Sequence, residues 1–411
     1  MISVQNPQLP LSGNKLYYLI FICFCLAACS PQVRTNKSAK NTITKKEEKP
    51  LVTEEIKLTS ANIALLIPFN LKNAKIKSGT KADLEKSAMA IDFYQGFKMG
   101  IDSAAALGLN FKIDVLDTRD NDAQITNLVK AGDLTGSSLI VGPVFPSGLK
   151  IVTSYSIANN IPVISPLAAT HPSEFNNPNL ISVVNNIDLH AQKMGDYIVR
   201  KYNEEKVIVV LINTRKSGDE LLGAPIRKYF QKGNGSKFIF QEYSSVFTME
   251  TSLIAGKEYV VMLASSDKAF VTATIDKLVK MKNNGLSINL FGHPNWSKQD
   301  YNTDNLQLLN TKITSSYLVD YKSGAVINFI KKYRKAYDFE PGEYSFKGFD
   351  EGFFFGTLIA RYGKDYLKYL PAEKYKGLQN SFTFIKDDKL GYINTSLLLL
   401  EYKNYALNPV E

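Results

Sequence analysis

The chain has 411 residues, which at roughly 150 residues per domain indicates two or three domains. It is 45% hydrophobic and 21% charged, a globular composition that excludes a disordered chain. The formal charge of +10 is spread along the sequence without an Arg-rich tract, so nucleic acid is not an expected partner. All cysteines lie within the first thirty residues and the three histidines lie far apart, so we expect no metal site and no cofactor.

The first thirty residues have the pattern of a targeting signal. After Lys15 the chain carries an apolar run at 16–28, LYYLIFICFCLAA. A transmembrane helix needs about 20 such residues, so this shorter run is typical of a signal-peptide core. It ends in LAAC at 26–29, which resembles the lipobox of bacterial lipoproteins, a family in which the chain is cut before the cysteine and the cysteine carries acyl chains such as palmitate. We predict a signal peptide at 1–28 and lipidation of Cys29; the alternative is an ordinary signal peptide with an incidental cysteine.

A tether is predicted next, at 29–60. This stretch is rich in Lys, Thr, Ser, Asn and Glu and almost free of large apolar side chains. Such a composition cannot offset the entropy of ordering, so we expect a flexible segment. No later segment is long and apolar enough to be a membrane span. The mature protein is therefore expected to be a folded body held at a membrane by its lipid anchor.

From residue 62 short apolar runs alternate with helical periodicity. Strands are predicted at 62–69, 111–116, 138–141 and 162–164, with helices at 93–107, 123–134 and 147–159. Four strand–helix repeats in about 100 residues indicate a parallel sheet covered by helices.

The pattern restarts after a helix predicted at 190–202. Strands follow at 207–212, 238–240, 259–263 and 288–291, with helices at 218–231 and 268–282, two late helices at 325–337 and 349–362, and a hairpin-like tail at 381–402. We predict an α/β protein of two lobes joined by several crossovers. Residues 61–187 plus 320–411 are expected to form the N-terminal lobe, and residues 188–319 the C-terminal lobe.

Two such lobes leave a cleft whose lining can be inferred from sequence position. Ligands of open parallel sheets bind outside the carboxyl ends of the strands, where this chain places loops rich in small and hydroxyl residues. Helix N-termini at Ser147 and near Ser266 offer free N–H groups suited to a carboxylate or another anion. The alternative is that the serine and aspartate side chains there only cap helices.

Several segments, in their order along the chain, resemble one protein family. They are IALLIP at 63–68, YQGFKMGI at 94–101, VLDTRD at 115–120, VGPVFPSG at 141–148, IPVISPLAAT at 161–170 and GFDEG at 348–352. They resemble type I periplasmic binding proteins, in particular the leucine/isoleucine/valine-binding branch of receptor-family ligand-binding domains. The resemblance covers nearly all of 60–411. It implies a Venus-flytrap, in which two lobes hinged by three crossovers close on a small solute.

The resemblance also implies ligand contacts in the first lobe. In amino-acid-binding members, the serine at the third helix start and the loop after the fourth strand hold the ligand carboxylate. The matching residues here are Ser147, Ala168, Ala169 and Thr170.

The second lobe departs from the family pattern. Amino-acid-binding members usually hold the ammonium group there with a tyrosine and a later acidic residue, and no such clamp is evident in this chain. We predict Lys216, Ser266 and Trp296 as the second-lobe contacts. For Trp296 the alternative to stacking on a ligand is a buried structural role.

These features predict a non-catalytic solute-binding protein. No G-x-S-x-G, P-loop or G-x-G-x-x-G motif occurs, so we expect no enzyme. The resemblance implies an ABC-transporter-type receptor for a small polar solute, such as an amino acid or related carboxylate. The lipobox implies a lipid anchor in the Gram-negative envelope; Ser30 after Cys29 favours the outer membrane, and the absence of acidic residues directly after the cysteine favours its periplasmic face. The alternative is a regulator that contacts a peptidoglycan synthase, because LIP at 66–68 and DT at 117–118 are equally similar to penicillin-binding protein activators.

Overall fold

A computed structural model of the chain describes residues 59–70 and 80–410. The predicted signal peptide, Cys29 and nearly all of the predicted tether lie outside these residues. Within them, none of the helices combines the length and the apolar character needed to cross a membrane.

The described residues form fifteen strands in two sheets, both within one compact unit. The strands are β1 (Ser60–Ile67), β2 (Asn110–Asp117), β3 (Leu139–Val141), β4 (Val163–Ser165), β5 (Leu180–Ser182), β6 (Val207–Ile212), β7 (Ile239–Tyr243), β8 (Glu258–Leu263), β9 (Ser287–Phe291), β10 (Lys312–Ser315), β11 (Lys374–Lys376), β12 (Ser381–Asp387), β13 (Gly391–Asn394), β14 (Leu398–Lys403) and β15 (Ala406–Pro409).

Each sheet is parallel at its centre and antiparallel at one edge. The first has the order β11-β12-β13-β5-β4-β3-β1-β2, and the second has the order β15-β14-β10-β9-β8-β6-β7. In the first sheet β11, β12 and β13 pair antiparallel, and in the second β14 pairs antiparallel with β10 and β15. The remaining pairs are parallel, so the loops that follow their strands leave from one edge of each sheet.

Eleven α-helices cover the sheets in the described residues. They are α1 (Lys81–Ala105), α2 (Asp122–Ala131), α3 (Pro146–Asn159), α4 (Ile187–Lys201), α5 (Ser217–Lys232), α6 (Val246–Glu250), α7 (Lys268–Asn283), α8 (Thr303–Leu308), α9 (Gly324–Tyr337), α10 (Glu343–Tyr362) and α11 (Tyr366–Tyr369). Short 3-10 turns lie at Pro172–Glu174, Pro294–Lys298 and Gly363–Asp365.

The central strands are continuous apolar runs because both of their faces are covered. In β1, Ile63 and Leu65 face one core while Ala64 and Leu66 face the core on the other side of the sheet. In β6, Ile208, Val210 and Ile212 face the core on one side of the sheet, and Val207, Val209 and Leu211 face the core on the other side. A strand buried on both faces needs apolar residues at every position, which is the pattern of a helix-covered parallel sheet.

Helices α1 and α10 approach closely through glycines. A Cβ atom built on Gly348 of α10 would lie 2.2 Å from the carbonyl oxygen of Phe93, and one built on Gly96 of α1 would lie 1.9 Å from that of Ser345. The absence of side chains at these positions lets the two backbones touch. This contact fixes α10, which carries several residues of the site described below.

Three connections carry the chain between the sheets. Residues 183–186 lead from β5 to α4, residues 316–323 lead from β10 back to α9 and α10, and residues 395–397 lead from β13 to β14. The first of them is bonded to the last residue of β13: Asn185 Nδ2 donates to the Asn394 carbonyl at 2.7 Å, and Asn394 Nδ2 donates to the Val183 carbonyl at 2.9 Å.

The predicted fold class, two α/β lobes with helix-flanked parallel sheets joined by crossovers, is confirmed. The strand predicted at 207–212 matches β6, whereas α1 begins at Lys81 rather than at residue 93. The predicted division differs from the structure at the C-terminus. Residues 320–411 were assigned to the first lobe, but β14 and β15 complete the second sheet, because Leu399 and Leu400 bury opposite faces of β14 beside β10.

Candidate functional site

A cavity of about 200 Å³ lies between the two sheets at the carboxyl ends of their strands. One wall comes from the first-lobe loops after β4 and β5, and the opposite wall comes from the second-lobe loops after β9 and β10. Helices α4 and α10 close the cavity beside the crossovers. The lining residues are Pro166, Leu167, Ala169, Val183, Val184, Asn185, His190, Pro294, Asn295, Ser297, Lys298, residues 314–317, Lys347, Glu351 and Asn380.

The end of the cavity next to the crossovers is held by a set of hydrogen bonds. The carboxylate of Asp350 accepts hydrogen bonds from the backbone N–H groups of Leu378, Gln379 and Asn380, at 2.7, 2.9 and 2.8 Å. Burial raises the pKa of Asp350 to about 6, and these backbone N–H groups oppose the rise. The Gln379 carbonyl accepts from the N–H of Leu318 in the second crossover. Asp350 therefore links α10 to the loop at 378–380, and this loop is hydrogen-bonded to the crossover at 316–323.

Two lysines bring positive charge to the cavity. Nζ of Lys347, which is buried, donates to Glu343 at 2.5 Å and lies 4.2 Å from the centre of the Tyr317 ring. Burial lowers the pKa of Lys347, and Glu343 partly offsets that effect. Burial disfavours the Glu343 anion, yet Lys347 and Lys298 together bring the pKa of Glu343 below its usual value. Nζ of Lys298 lies 3.8 Å from Glu343, and its side chain is 55% exposed, so this cation is the more accessible one.

The third ionisable group at the cavity is Glu351, on α10 one turn after Lys347. The residue has no exposed surface, and neither carboxyl oxygen has a hydrogen-bond partner among the described residues. Burial raises the pKa of Glu351 well above its ordinary value, with Lys347 opposing the rise.

His190, near the start of α4, lines the same cavity. Its Nδ1 lies 2.8 Å from the Thr314 hydroxyl of β10, so the two share a hydrogen bond across a sequence separation of 124 residues. Burial, with a smaller effect from the neighbouring His293, lowers the pKa of His190 to about 3. The imidazole is therefore neutral near pH 7, which suits it to hydrogen bonding rather than to charge recognition.

Of the predicted first-lobe residues, Ala169 lines the cavity, and Ala168 and Thr170 are half-buried beside it. Ser147 is exposed in the first turn of α3 and does not line the cavity. The loops that carry Ser147 and Ala169 follow the paired parallel strands β3 and β4, so they leave the same edge of the sheet. The N-terminus of α3 has no side-chain cap, because the N-cap residue is Phe145. Its first N–H groups thus remain available to an anion.

The second-lobe residues are placed differently from the prediction. Lys216 is exposed at the N-cap of α5, away from the cavity lining. Ser266 is half-buried, and its carbonyl accepts from Gln299 Nε2 at 3.0 Å. The nearby N-terminus of α7 is already capped by the carboxylate of Asp267, which accepts from the Phe270 N–H at 2.8 Å. A negative charge at that position opposes binding of a second anion, so this helix end does not offer the predicted anion site.

Trp296 is a core residue in this structure. It has no exposed surface, its Nε1 donates to the Ser265 carbonyl at 3.0 Å, and its ring packs against Tyr301. A Cβ on Gly292 would lie 2.2 Å from an indole carbon, so the ring lies directly on the backbone. The predicted ligand-stacking role does not fit this environment, and the structural alternative does.

The sequence prediction missed most of the polar groups that line the cavity. Asn185, His190, Lys298, Lys347 and Glu351 were not among the predicted contacts, although all five line it. One signal was present in the sequence: Asp350 and Glu351 are adjacent acidic residues in an otherwise strongly apolar helix segment. The other four could not be found in this way, because no local pattern distinguishes them from ordinary surface or capping residues.

Comparisons with known proteins agree with this architecture. Neither the protein-family models nor the curated proteins contain a match to the sequence. Among solved structures, the chain is similar to a putative branched-chain amino acid ABC transporter from Rhodospirillum rubrum, with 13% identity, a TM-score of 0.62, and coverage of 85% of this chain and 100% of the other. An ABC-type branched-chain amino acid transporter from Rhodopseudomonas palustris matches with 14% identity, a TM-score of 0.58, and coverage of 85% and 95%.

A third similar structure is an ABC transporter substrate-binding protein from Desulfitobacterium hafniense in complex with Leu. It matches with 13% identity, a TM-score of 0.54, and coverage of 85% of this chain and 100% of the other. At these identities the similarity establishes the fold. The fold of the described residues is that of type I periplasmic binding proteins, as the sequence resemblance implied.

Proposed function

We propose that this protein is a non-catalytic solute-binding receptor that takes a small polar ligand, such as an amino acid or related carboxylate, into the cavity between its lobes. One observation carries the proposal: both lobes line a single cavity of about 200 Å³ with polar groups at the carboxyl ends of their strands. A ligand that contacts both walls favours the closed arrangement over the open one by the free energy of those contacts. The crossovers at 183–186, 316–323 and 395–397 are the hinge.

The similar structures support this proposal at the level of fold. Those structures are of ABC transporters and a substrate-binding protein, the latter in complex with leucine. By this analogy the bound solute would be delivered to an ABC permease in the membrane.

A thermal-shift screen of the mature chain tests the proposal. The panel contains amino acids, small carboxylates, nucleobases and peptidoglycan fragments. A ligand present at 100 times its Kd stabilises the folded state by about 2.7 kcal/mol, which is enough for a measurable rise in Tm. A clear rise with one chemical class supports the receptor. No rise with any member of the panel contradicts it and favours the regulator, whose protein partner would then be sought by pull-down.

The first-lobe contacts remain part of the proposal. We infer that an anionic group of the solute reaches the free N-terminus of α3 and the hydroxyls of Ser147 and Thr170. Removing both hydroxyls, in a Ser147→Ala, Thr170→Ala protein, should weaken binding of a carboxylate ligand more than tenfold, since each hydroxyl bonds a charged group. The matched control is Ser103→Ala, Thr126→Ala, which removes two helix hydroxyls bonded to their own backbone. Unchanged affinity in the folded double variant would place the site elsewhere.

The lipid anchor is the second part of the proposal. Cys29 would carry the acyl chains and hold the protein in the Gram-negative envelope, with the outer membrane and its periplasmic face favoured. Each buried methylene contributes about 0.8 kcal/mol, so several chains give firm attachment. Cys29→Ser should release the protein from the membrane fraction, whereas the control Cys25→Ser, within the apolar run, should not. A Cys29→Ser protein that still sediments with membranes would contradict the lipoprotein assignment.

A further inference from the structure

Three buried hydrogen-bond acceptors at the cavity have no partner among the described residues. Two are the carboxyl oxygens of Glu351, a residue with no exposed surface. The third is Oδ1 of Asn185, which is 1% exposed and which donates through Nδ2 to the Asn394 carbonyl at 2.7 Å. That donation fixes which end of the Asn185 amide is the unpartnered oxygen. Glu351 and Asn185 line the same cavity.

No donor among the described residues bonds these acceptors, although Lys347 and His190 line the same cavity. Lys347 donates to Glu343 at 2.5 Å and faces the ring of Tyr317. His190 shares its Nδ1 hydrogen bond with Thr314. A buried carboxylate without a hydrogen-bonded partner is strongly destabilising, and native structures rarely leave one in that state. The arrangement therefore calls for a donor group supplied from the cavity itself.

The number and kind of these acceptors indicate the chemistry of that donor. An ammonium group has three N–H donors, no acceptor and one positive charge, which match three acceptors of which two share a negative charge. A carboxylate has no proton to donate and would be repelled. A hydroxyl offers one donor and leaves two acceptors unpartnered.

We propose that this cavity binds the ammonium group of a small primary amine or amino acid, and that Glu351 is the residue that recognises it. This inference rests on the proposed solute-binding function and deepens it. Helix α10 of the first lobe then provides the ammonium contact that the second-lobe loops lack. Its glycine contact with α1 holds α10 in place.

The proposal has a consequence that can be measured on the unaltered protein. Burial favours the protonated Glu351 carboxyl in the absence of a cation, and a bound ammonium favours the carboxylate. The carboxyl proton is then released to solvent as the ammonium–carboxylate pair forms. The other ionisable groups at this cavity or beside Glu351 are Lys347, Asp350, His190 and Lys298, and Lys347 donates to Glu343 at 2.5 Å.

The test is isothermal titration calorimetry of the mature chain with two matched series of probes. One series is L-alanine, propionate and ethylamine, and the other is L-leucine, 4-methylpentanoate and 3-methylbutylamine. In at least one series the amine-bearing probes should bind at least tenfold more tightly than the carboxylate that lacks the amine. Glu351→Gln, which keeps the shape and removes the charge, should weaken the amine-bearing probes at least tenfold and change the carboxylate less than twofold. The control Glu340→Gln alters an exposed carboxylate paired with Arg334 and should bind as the wild type does.

Each outcome of the titrations supports or overturns the role of Glu351. A carboxylate that binds as tightly as its amino acid, or a Glu351→Gln protein with unchanged affinities, overturns the role of Glu351 and leaves the solute-binding proposal standing. Failure of all six probes to bind the wild type also overturns the ammonium proposal, and the wider thermal-shift panel then decides the solute-binding proposal separately. If Glu351→Gln does not fold, wild-type binding enthalpies in phosphate and Tris buffers, measured at several pH values, replace it. A buffer-dependent enthalpy at any pH of the series shows proton release and supports the proposal, and equal enthalpies at every pH overturn it.

Discussion

Burial of a neutral histidine beside the hinge makes stability depend on pH in a way that can be calculated. His190 is 7% exposed, and burial lowers its pKa from 6.5 in the unfolded chain to about 3 in the folded protein. The unfolded state therefore binds a proton between pH 6.5 and 3 that the folded state does not bind. The free energy of unfolding has its full value above pH 6.5 and falls as the pH is lowered through this window. With these two pKa values, the free energy of unfolding at pH 5 is about 2 kcal/mol lower than at pH 8.

The assay is urea unfolding of the mature chain carrying Cys29→Ser, at pH 8 and at pH 5, with and without His190→Asn. The asparagine keeps an amide near Thr314, the hydrogen-bond partner of Nδ1, and cannot titrate. The drop in unfolding free energy from pH 8 to pH 5 should be about 2 kcal/mol smaller in the variant. Asp350, whose pKa burial raises to about 6, acts in the opposite direction in both proteins, so the comparison cancels its effect.

A control and a refuting result complete the test. His171→Asn changes a histidine whose side chain is 42% exposed, and this variant should follow the wild-type pH dependence. If His190→Asn shows the same drop in unfolding free energy as the wild type, His190 is not buried as a neutral imidazole, and the reasoning about this end of the cavity fails.

Two further predictions concern the scaffold around the site. Gly348→Ala would place a Cβ atom 2.2 Å from the Phe93 carbonyl oxygen, so α1 and α10 must move apart. We expect the free energy of unfolding to fall by about 1–3 kcal/mol and the Tm to fall with it. The control is Gly324→Ala, at a position where an added Cβ meets no atom within 4 Å, and an unchanged Tm for Gly348→Ala would contradict the close helix contact. The single tryptophan, Trp296, is fully buried and bonded to Ser265, so its fluorescence should resist iodide quenching in the folded protein; strong quenching would refute its burial.

The fold was predictable from the sequence to the extent that its elements are long and patterned. The run at 207–212 is apolar at every position, which only a strand covered on both faces requires, and it is β6 in the structure. The first turns of α1 were missed because residues 81–92 mix charged residues with alanines and show little apolar periodicity. Strands β5 and β10, of three and four residues, were also missed.

The candidate site was less predictable, because its residues come from distant parts of the chain. Ala169 was predicted from its loop after a strand, a position that topology alone assigns to the ligand edge, and it lines the cavity. Trp296 was placed at the same edge by that rule, but the indole turns inward onto Gly292. Sequence position determines where a backbone leaves a sheet, and it does not determine which way a side chain then points.

The sequence by itself determined the alternation of strands and helices, and hence two helix-covered sheets, because hydrophobic periodicity acts within a few residues of the chain. Only the tertiary structure decided which groups meet at the hinge. His190 meets Thr314, Asn185 meets Asn394, and Glu351 is left without a protein partner at the cavity. These relations depend on how the crossovers return the chain between the lobes. The same packing removes the Glu351 carboxyl from water.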